Sequence, residues 1–355
     1  MSATLTAPQT PRSDDGRRRP TAGTARRTLA RFLRPELLPI AGTLLTLVIM
    51  LVLGESRYGG ERGFVSVKLF SNLLQDNAYL LVLAIGMTFV IITGGIDLSV
   101  GAVVALVGLV IATLLPAGVP LPLVLVISVL IGSTFGLLIG VLVQYFAIQP
   151  FIASLAAMFL ARGLANVVSV QSLAITDEGF SSMASWSLKF GEGRDISKIN
   201  LSMIIAVAVL ALAFYLLHYT RFGRTVYGLG VGDDGNAVEL MGLRAGRTRL
   251  WVYVISGTCA GIAGILFAFY TKSGYNLTGI GMELDAIAAV VIGGTILTGG
   301  AGYVLGTGVG VVVYGLIQVL IAREGLDSWW TKVFIGVVLL AFVILQRAIA
   351  ARKKK

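Results

Sequence analysis

The chain has 355 residues, of which 56% are hydrophobic and only 13% are charged, and its mean hydropathy is +0.88. Soluble domains carry about 25% charged residues, so this composition excludes an ordinary soluble protein and indicates a helical membrane protein with several spans. The single cysteine, Cys259, excludes an intrachain disulfide framework, and no cluster of histidine, cysteine and acidic residues has metal-ligand spacing.

The net charge of +10 lies at the two ends of the chain. Residues 1–36 hold eight arginines and three acids, and residues 347–355 hold five basic residues and no acid. A nucleic-acid-binding protein would gather its basic residues on a folded domain, whereas basic segments that flank the first and last spans follow the positive-inside rule. The pattern predicts a disordered N-terminus and a basic tail, both in the cytoplasm, and an even number of spans between them.

Apolar runs of roughly 15 to 22 residues recur between these ends, each long enough or nearly long enough to cross a bilayer core of about 30 Å. They predict an all-α transmembrane domain over residues 37–346 with about ten spans. The predicted spans are 37–53, 78–93, 99–115, 121–143, 150–170, 200–219, 250–270, 284–298, 304–322 and 331–346. The first is interpreted as an uncleaved span, because no small-x-small cleavage site follows it.

The polar segments between the spans agree with this topology. The loop after the sixth span, residues 220–249, holds five arginines and is predicted to be cytoplasmic, whereas the nearly neutral segment 171–199 is predicted to be external. Trp329 and Trp330 precede the last predicted span at the external interface, where indole rings are enriched.

Glycines recur four residues apart in several predicted spans. They are Gly132, Gly136 and Gly140, Gly257 and Gly261, and Gly302, Gly306 and Gly310. Such glycines form a smooth stripe on a helix, which predicts close helix packing; the alternative is that some stripes slide during transport. Paired glycines also end apolar runs in VIITGGIDLSVG (90–101) and VVIGGTILTGGAG (290–302), which hints at duplicated helices.

The stretch GGIDLSVG places a charge inside an apolar region. Gly94 and Gly95 each weaken a helix by about 1 kcal/mol relative to alanine, and Asp97 and Ser99 can accept hydrogen bonds from the free amides at a helix start. The motif therefore predicts a helix stop followed by an N-cap, with the next span starting at Leu98. We interpret it either as a sharp connection near the cytoplasmic face or as a helix break beside the transport pathway.

Few other ionisable or amide side chains fall inside the predicted spans. Arg162 and Asn166 lie one helical turn apart, Gln318 lies in the ninth span, and these three are candidates for lining the pathway. Glu283 and Asp285 lie at the start of the eighth span, where acids favour a helix N-terminus. Ion-coupled carriers usually bury several acids along their pathway, so the sparse charge favours a neutral, hydroxyl-bearing solute.

The sequence contains no catalytic constellation and no GxxxxGK[ST] nucleotide-binding loop. If ATP drives this protein, ATP and magnesium therefore bind to another chain. The chain itself is expected to be no enzyme and to bind neither a cofactor nor a metal.

The predicted cytoplasmic loop 220–249 contains a short helix signal. Asp234-Gly235-Asn236 can cap a helix over Ala237–Met241, which Gly242 would close. A helix this short is not stable alone, so we expect it to dock on a partner; the alternative is a simple loop. The candidate coupling residues are Asn236, Ala237, Glu239, Leu240, Met241 and Gly242.

Several segments resemble the permease subunits of bacterial ATP-binding cassette (ABC) sugar importers of the ribose type. They are GMTFVIITGGIDLSVGAVVAL (86–106), QPFIASLAAMFLARGLA (149–165), GRTVYGLGVGDDGNAVELMGL (223–243) and VYVISG (252–257), within a resemblance that covers about residues 70–346. The stretch 270–307 together with SWWTK (328–332) is especially similar to the galactofuranose-type permeases. GVGDDGN (230–236) departs from the family, whose members often carry a GGNEEA-like string there.

The resemblance implies an ABC type II-like importer permease with about ten helices in the bacterial cytoplasmic (inner) membrane. Its cargo would be a monosaccharide, such as galactofuranose or a ribose-like sugar. Its partners would be a cytoplasmic ABC ATPase, a second permease subunit, a periplasmic or lipid-anchored sugar-binding protein and membrane lipid, but no nucleic acid. The docking helix would correspond to Asn236–Gly242. The alternative function is an ion-coupled secondary carrier or a channel for a small polar solute.

Overall fold

The computed structural model describes residues 38–60, 63–190, 197–231, 238, 242–327 and 329–353, with side chains described between residues 40 and 347. The predicted N-terminal segment 1–36 lies outside these residues, and the predicted tail is described to residue 353 as part of the last helix. Within the described residues the chain forms thirteen helices and two two-stranded sheets, so the all-α class is confirmed.

The helices are numbered in chain order. They are α1 (Leu38–Tyr58), α2 (Val67–Asp76), α3 (Ala78–Ile92), α4 (Val100–Leu114), α5 (Leu121–Gln144), α6 (Pro150–Val168), α7 (Glu178–Ser185), α8 (Leu201–Tyr219), α9 (Arg221–Leu229), α10 (Ala245–Thr271), α11 (Met282–Ile292), α12 (Val304–Arg323) and α13 (Trp329–Lys353). The strands are β1 (Leu173–Ala174), β2 (Ser187–Phe190), β3 (Ser197–Asn200) and β4 (Ser273–Gly274).

Seven of the described helices are long and apolar enough to cross a membrane: α1, α5, α6, α8, α10, α12 and α13. Helices α2 and α3 meet at a 65° bend and pass the same test together, so the described chain has seven or eight such spans. The prediction of ten full spans is not confirmed. Helices α4 and α11 have only 15 and 11 residues, too few to cross about 30 Å of hydrocarbon, because glycine-rich breaks interrupt the chain before α4 and after α11.

The glycine stripe on α5 packs against α10 at the centre of the bundle. A Cβ on Gly132 would lie 2.2 Å from the carbonyl oxygen of Gly257, and a Cβ on Gly136 would lie 2.2 Å from that of Tyr253. The same holds between α12 and α11, where a Cβ on Gly310 would lie 2.0 Å from the Ala289 carbonyl oxygen. The prediction of close helix packing at these stripes is confirmed, since only glycine allows backbones to approach so closely.

One end of the bundle, called the loop end below, holds the described residues of the segment 220–249, which joins α8 to α10. Gly230 in this segment contacts Ile92 and Gly300, so α3 finishes at the loop end. Helix α1 starts there, since the Thr43 hydroxyl donates to the Ile292 carbonyl oxygen. Helix α13 passes the same level near its C-terminal end, where its Gln346 amide donates to the Val291 and Thr295 carbonyl oxygens.

The opposite end, called the far end, holds the described residues of the segment 171–199. Its strand β1 pairs antiparallel with β4, which follows the C-terminal end of α10, and β2 pairs antiparallel with β3, with Ser187 opposite Asn200. Asp177 caps the start of helix α7, since its carboxylate accepts a hydrogen bond from the Phe180 amide at 2.7 Å. The segments predicted to be external and cytoplasmic therefore lie at opposite ends of the bundle.

A loop over residues 275–281, called the dipping loop below, runs from β4 into the bundle. Gly279 packs against the backbone of Gly101 at the start of α4. The loop leads directly into α11, so both short helices, α4 and α11, begin inside the bundle. Half-length helices of this kind place irregular backbone and helix ends at membrane depth, as in many transporters.

Candidate translocation and coupling site

Helix α3 ends at the paired glycines of the GGIDLSVG motif. The Gly95 amide donates to the Val90 carbonyl oxygen at 3.0 Å, and Gly94 has a φ of +80°. Together they form the Schellman arrangement that terminates helices. Gly95 also lies against α10, since a Cβ there would lie 2.4 Å from the hydroxyl oxygen of Tyr253.

Asp97 follows this break and is fully buried. Its Oδ1 accepts hydrogen bonds from the Ser99 amide (3.0 Å) and hydroxyl (2.6 Å), and its Oδ2 accepts one from the Ser256 hydroxyl (2.8 Å). Hydrogen bonds from three donors offset the cost of burying a carboxyl group. Ser256 lies on α10 about 17 Å along the helix axis from its first residue, so Asp97 lies inside the bundle.

The predicted start of the next span is two residues too early. Helix α4 begins at Val100 instead of Leu98, and the Ser99 side chain makes no capping hydrogen bond. The reason is the buried carboxyl group, to which both the amide and the hydroxyl of Ser99 donate. Asp97 itself is buried inside the bundle, whereas the end of α3 before it lies at the loop end. Whether the motif borders the transport pathway stays a prediction.

The end of α11 repeats the geometry of the first break. Gly294 has a φ of +94°, and the Thr295 amide donates to the Val290 carbonyl oxygen at 3.2 Å. Gly294, Thr295 and Val290 lie two hundred positions after Gly94, Gly95 and Val90 and take the same places in the helix ending. The sequence echo between residues 90–101 and 290–302 is thus a repeated helix ending. The position that corresponds to Asp97 is Leu297, so the second break lacks the buried acid.

The two breaks meet at the loop end around Gly230. The Gly300 amide donates to the Ile92 carbonyl oxygen at 2.9 Å, which joins the segments after α3 and α11. A Cβ on Gly230 would lie 2.0 Å from that carbonyl oxygen and 2.1 Å from that amide nitrogen. The segment 220–249 therefore contacts both breaks at one glycine.

Helix α9 carries the chain from α8 to this junction. The Thr220 hydroxyl accepts the Gly223 amide at 3.2 Å and caps the helix. The Tyr227 hydroxyl donates to the Gly302 carbonyl oxygen at 2.8 Å. Burial raises the pKa of Tyr227 to about 12, so its hydroxyl remains a donor well above neutral pH.

Most of the candidate coupling residues lie outside the described residues. These are Asn236, Ala237, Glu239, Leu240 and Met241. Among the neighbours that are described, Val238 is buried and packs against Leu229 and Ala245. The Leu243 amide donates to the Val238 carbonyl oxygen at 3.1 Å and Gly242 has a φ of +73°, the geometry with which helices commonly end. The coupling role of these residues stays a prediction.

The polar residues proposed for the pathway occupy two places. Arg162 on α6 donates hydrogen bonds to the carbonyl oxygens of Asn276 (2.5 Å) and Thr278 (2.7 Å). The Asn166 side-chain oxygen accepts a hydrogen bond from the side-chain amide of Asn276. Both residues thus fasten α6 to the dipping loop. Gln318 lies elsewhere and lines a cavity at the far end. Whether any of the three contacts cargo stays a prediction.

Several partners in these contacts have no sequence signal that pairs them. Ser256 and Tyr253 lie in the quoted VYVISG segment, but their pairing with the GGIDLSVG motif needs the packing of α10 on α3. Glu283 and Asp285 lie in the first turn of α11, as the sequence predicts. Asp285 also forms an ion pair with Lys332 on α13 at 2.6 Å, which no local pattern indicates. Among the described residues, no three histidine, cysteine or acidic side chains could hold a metal ion together.

Comparisons with known proteins agree with this architecture. Residues 69–343 match the family described as branched-chain amino acid transport system / permease component. The chain is 42% identical over 319 residues to the fructose import permease protein FruG of Bifidobacterium longum (strain NCC 2705), covering 89% of this chain and 92% of FruG. It is 44% identical over 293 residues to the inner membrane ABC transporter permease protein YjfF of Escherichia coli (strain K12), covering 81% and 86%.

A third relative is the ribose import permease protein RbsC of Escherichia coli (strain K12), which is 36% identical over 282 residues, or 79% of this chain and 86% of RbsC. No solved structure matches the chain. Because the family match spans about three quarters of the sequence and these relatives cover most of it, the chain belongs to this family of membrane transport permease components.

Proposed function

We propose that the chain is the transmembrane permease subunit of an ABC importer that carries a monosaccharide into the cell. The observation that carries this proposal is the match to FruG and RbsC, named for fructose and ribose import, over at least 79% of this chain. The sparse charge within the bundle supports a neutral cargo. The sugar is taken to be fructose-like or ribose-like, with galactofuranose, implied by the sequence resemblance, as a further candidate.

The energy source is proposed to be an ATPase on a separate chain. The sequence has no GxxxxGK[ST] loop, and the segment 220–249 exposes arginines on a surface suited to a soluble partner. Two further partners are proposed from the resemblance: a second permease subunit, and a periplasmic or lipid-anchored sugar-binding protein that delivers cargo. Sugar selection would then rest largely on the binding protein.

The orientation is proposed from charge. Arg221, Arg224, Arg244 and Arg247 are exposed at the loop end, and the basic segments 1–36 and 347–355 adjoin the helices that start and finish there. The positive-inside rule places this end in the cytoplasm. The far end, with segment 171–199, then faces outward across a bacterial inner membrane.

In this arrangement the inner loop would act on both helix breaks at once. A partner ATPase that closes on ATP would push the segment around Val238, and Gly230 would pass the displacement to the Ile92–Gly300 contact. Because α3 and α11 end at that contact, both would move together. Coupling between two binding sites through such a shared element amounts to typically 1–3 kcal/mol.

Reconstitution tests the proposal directly. The permease, its partner ATPase and its sugar-binding protein are placed in proteoliposomes and supplied with labelled D-fructose, D-ribose or D-galactose. We expect uphill uptake of at least one sugar that needs ATP and the ATPase and that a proton ionophore leaves unchanged. Robust proton-driven uptake by this chain alone would instead support the ion-coupled carrier.

The family description favours a second candidate cargo, a branched-chain amino acid. The same assay decides between the two when labelled L-leucine is included. Accumulation of L-leucine without accumulation of any sugar would replace the monosaccharide in the proposal and leave the ABC permease in place.

A further inference from the structure

A cavity of about 410 Å³ opens at the far end of the bundle. It lies between α3, the dipping loop, α11, α12 and α13, and it is called the outer vestibule below. Its polar and aromatic lining consists of Tyr79, Asp285, Tyr314, Gln318, Trp329, Thr331 and Lys332. The volume falls within the range of about 300 to 1,000 Å³ that is typical of small-molecule sites.

An ion pair crosses the outer vestibule. The Lys332 ammonium donates to both carboxylate oxygens of Asp285, at 2.6 and 2.7 Å, and so links α13 to α11. The Asp285 side chain is 14% exposed and the Lys332 side chain 51% exposed, so the pair faces the cavity and is not sealed in the core. Ionisable residues within membrane spans are costly and by default mark a solute pathway. Since the two charges neutralise each other, the vestibule suits a neutral solute.

Neutral polar and aromatic groups surround this pair. Tyr314 and Gln318, both on α12, line the same cavity as Asp285. Carboxylate and amide groups can each pair with adjacent hydroxyls. Tyr79 and Trp329 bring aromatic rings to the same cavity, and such rings can cover the apolar C–H face of a sugar ring. A few convergent polar groups among aromatic walls are the usual makeup of a ligand pocket.

Helix α11 joins the floor of the outer vestibule to the loop end. Gly279 and Ile280 of the dipping loop and Met282 of α11 line it. Helix α11 runs from this floor to the second break, which meets Gly230. A solute in the vestibule would therefore contact the short helix whose other end adjoins the predicted coupling segment.

We propose that the outer vestibule is the site where the permease receives its cargo from outside, a neutral polyhydroxylated ring of monosaccharide size. Asp285, Gln318 and Lys332 bind the hydroxyls of the ring. The cargo class depends on the proposed function, whereas the site is assigned from the cavity and its ion pair. The competing explanation is that the ion pair only tethers α11 to α13.

Protection of a single cysteine tests this assignment. The native Cys259 is buried, so Cys259→Ala provides a cysteine-free background for Ile280→Cys. Ile280 lines the vestibule and is 66% exposed. The full permease–ATPase complex in right-side-out vesicles is labelled with a membrane-impermeant thiosulfonate. The probe is whichever of D-fructose, D-ribose and D-galactose the wild-type transporter accumulates in the uptake assay.

We expect the sugar to slow labelling of Ile280→Cys by the factor 1 + [sugar]/Kd, about tenfold at ten times its Kd. The matched control is Leu326→Cys, which is 43% exposed after α12 and lies outside the vestibule lining, and its labelling rate should not respond. Adding Asp285→Asn to the Ile280→Cys protein should raise the half-protecting sugar concentration about tenfold, since a hydrogen bond to a charged group is lost. Gln318→Leu, as a second variant, should raise it as well.

The outcomes separate the two proposals. Uptake by the wild type without protection at Ile280→Cys would overturn the vestibule and leave the monosaccharide importer standing. Unchanged half-protecting concentrations in both the Asp285→Asn and Gln318→Leu proteins would show a tether only and would also overturn it. The absence of uptake of every sugar in the reconstituted system would instead remove the proposed function, and with it the cargo class of the vestibule.

Discussion

Asp97 is bound by donors from its own segment and from α10, so its replacement measures what the buried carboxyl group does. Asp97→Ala leaves the Ser99 amide and the Ser256 hydroxyl without their acceptor. We expect a loss of about 1–3 kcal/mol in the free energy of unfolding, together with lost uptake, in a protein that still inserts. Thermal unfolding of the purified permease and uptake in proteoliposomes measure the two effects separately.

Ser256→Ala is the control for this change. It removes one donor but keeps the carboxyl group and both bonds from Ser99, so it should cost only about 1 kcal/mol and retain part of the uptake. An Asp97→Ala protein that transports normally would exclude a role for the acid in transport. Failure of the variant to insert would show that Asp97 is required for folding.

Gly95 has no side chain, and this leaves space for the Tyr253 hydroxyl group. A Cβ on Gly95 would lie 2.4 Å from the Tyr253 hydroxyl oxygen and 3.4 Å from the ring carbon that bears it. Gly95→Ala should therefore destabilise the permease by about 1–3 kcal/mol through overpacking. Combining it with Tyr253→Phe, which removes only that oxygen, should recover most of the loss.

Thermal unfolding of the wild type, both single variants and the double variant completes a double-mutant cycle. A double variant no more stable than Gly95→Ala alone would contradict the contact. Gly94→Ala should not be rescued by Tyr253→Phe, because the φ of +80° at Gly94 disfavours any side chain there.

At the scale of elements, the breaks after α3 and α11 contact each other, and Gly230 packs against both. Gly230→Ala would push a methyl group against the Ile92 carbonyl oxygen and the Gly300 amide, at 2.0 and 2.1 Å, and so separate them. We expect uptake to fall about 5- to 150-fold, the range of typical coupling between sites, while the ATPase still binds and hydrolyses ATP. The ratio of sugar transported to ATP hydrolysed measures this effect.

Gly163→Ala is the matched control for Gly230→Ala, since a Cβ at Gly163 on α6 meets nothing within 4 Å. It should leave the transport ratio unchanged and, as an alanine in a helix interior, should not destabilise the protein. Equal ratios in the two variants would remove Gly230 from the coupling route.

Several elements could be predicted from the sequence because local signals determine them. Long apolar runs predicted α5, α6, α8, α10 and α12 close to their observed bounds, and the glycine stripes predicted where helices approach closely. The eighth predicted span, 284–298, fails because Gly293 and Gly294 end α11 at Ile292. The residues after this break are as apolar as those of a membrane span, so hydropathy does not distinguish the broken helix from a full span. Only the backbone geometry distinguishes them.

The contacts of the candidate site depend on packing between distant segments, which no local pattern contains. The acid of GGIDLSVG could be singled out as unusual, but its bond to Ser256 joins residues 159 positions apart. The Asp285–Lys332 pair likewise joins α11 to α13. Asp285 at a helix start already had a sufficient local explanation, so nothing in the sequence called for a second partner.

At the scale of the whole molecule, the bundle separates two kinds of surface. The loop end carries exposed arginines and the segment predicted to bind an ATPase, and the far end carries the outer vestibule. The short helices α4 and α11 begin between them, inside the bundle. An importer needs such an arrangement, because cargo and energy source meet the protein on opposite sides of the membrane and must be coupled through it.

The orientation of this arrangement is testable with single cysteines in the Cys259→Ala background. Leu188→Cys lies in β2 at the far end and Arg224→Cys lies in α9 at the loop end, and both positions are exposed. In intact cells we expect a membrane-impermeant maleimide to label Leu188→Cys and to label Arg224→Cys only after permeabilisation, because basic segments remain cytoplasmic. Arg224→Lys, with no cysteine, controls for the loss of the guanidinium. Labelling of Arg224→Cys in intact cells would reverse the topology, and an ATPase could not then reach the loop end.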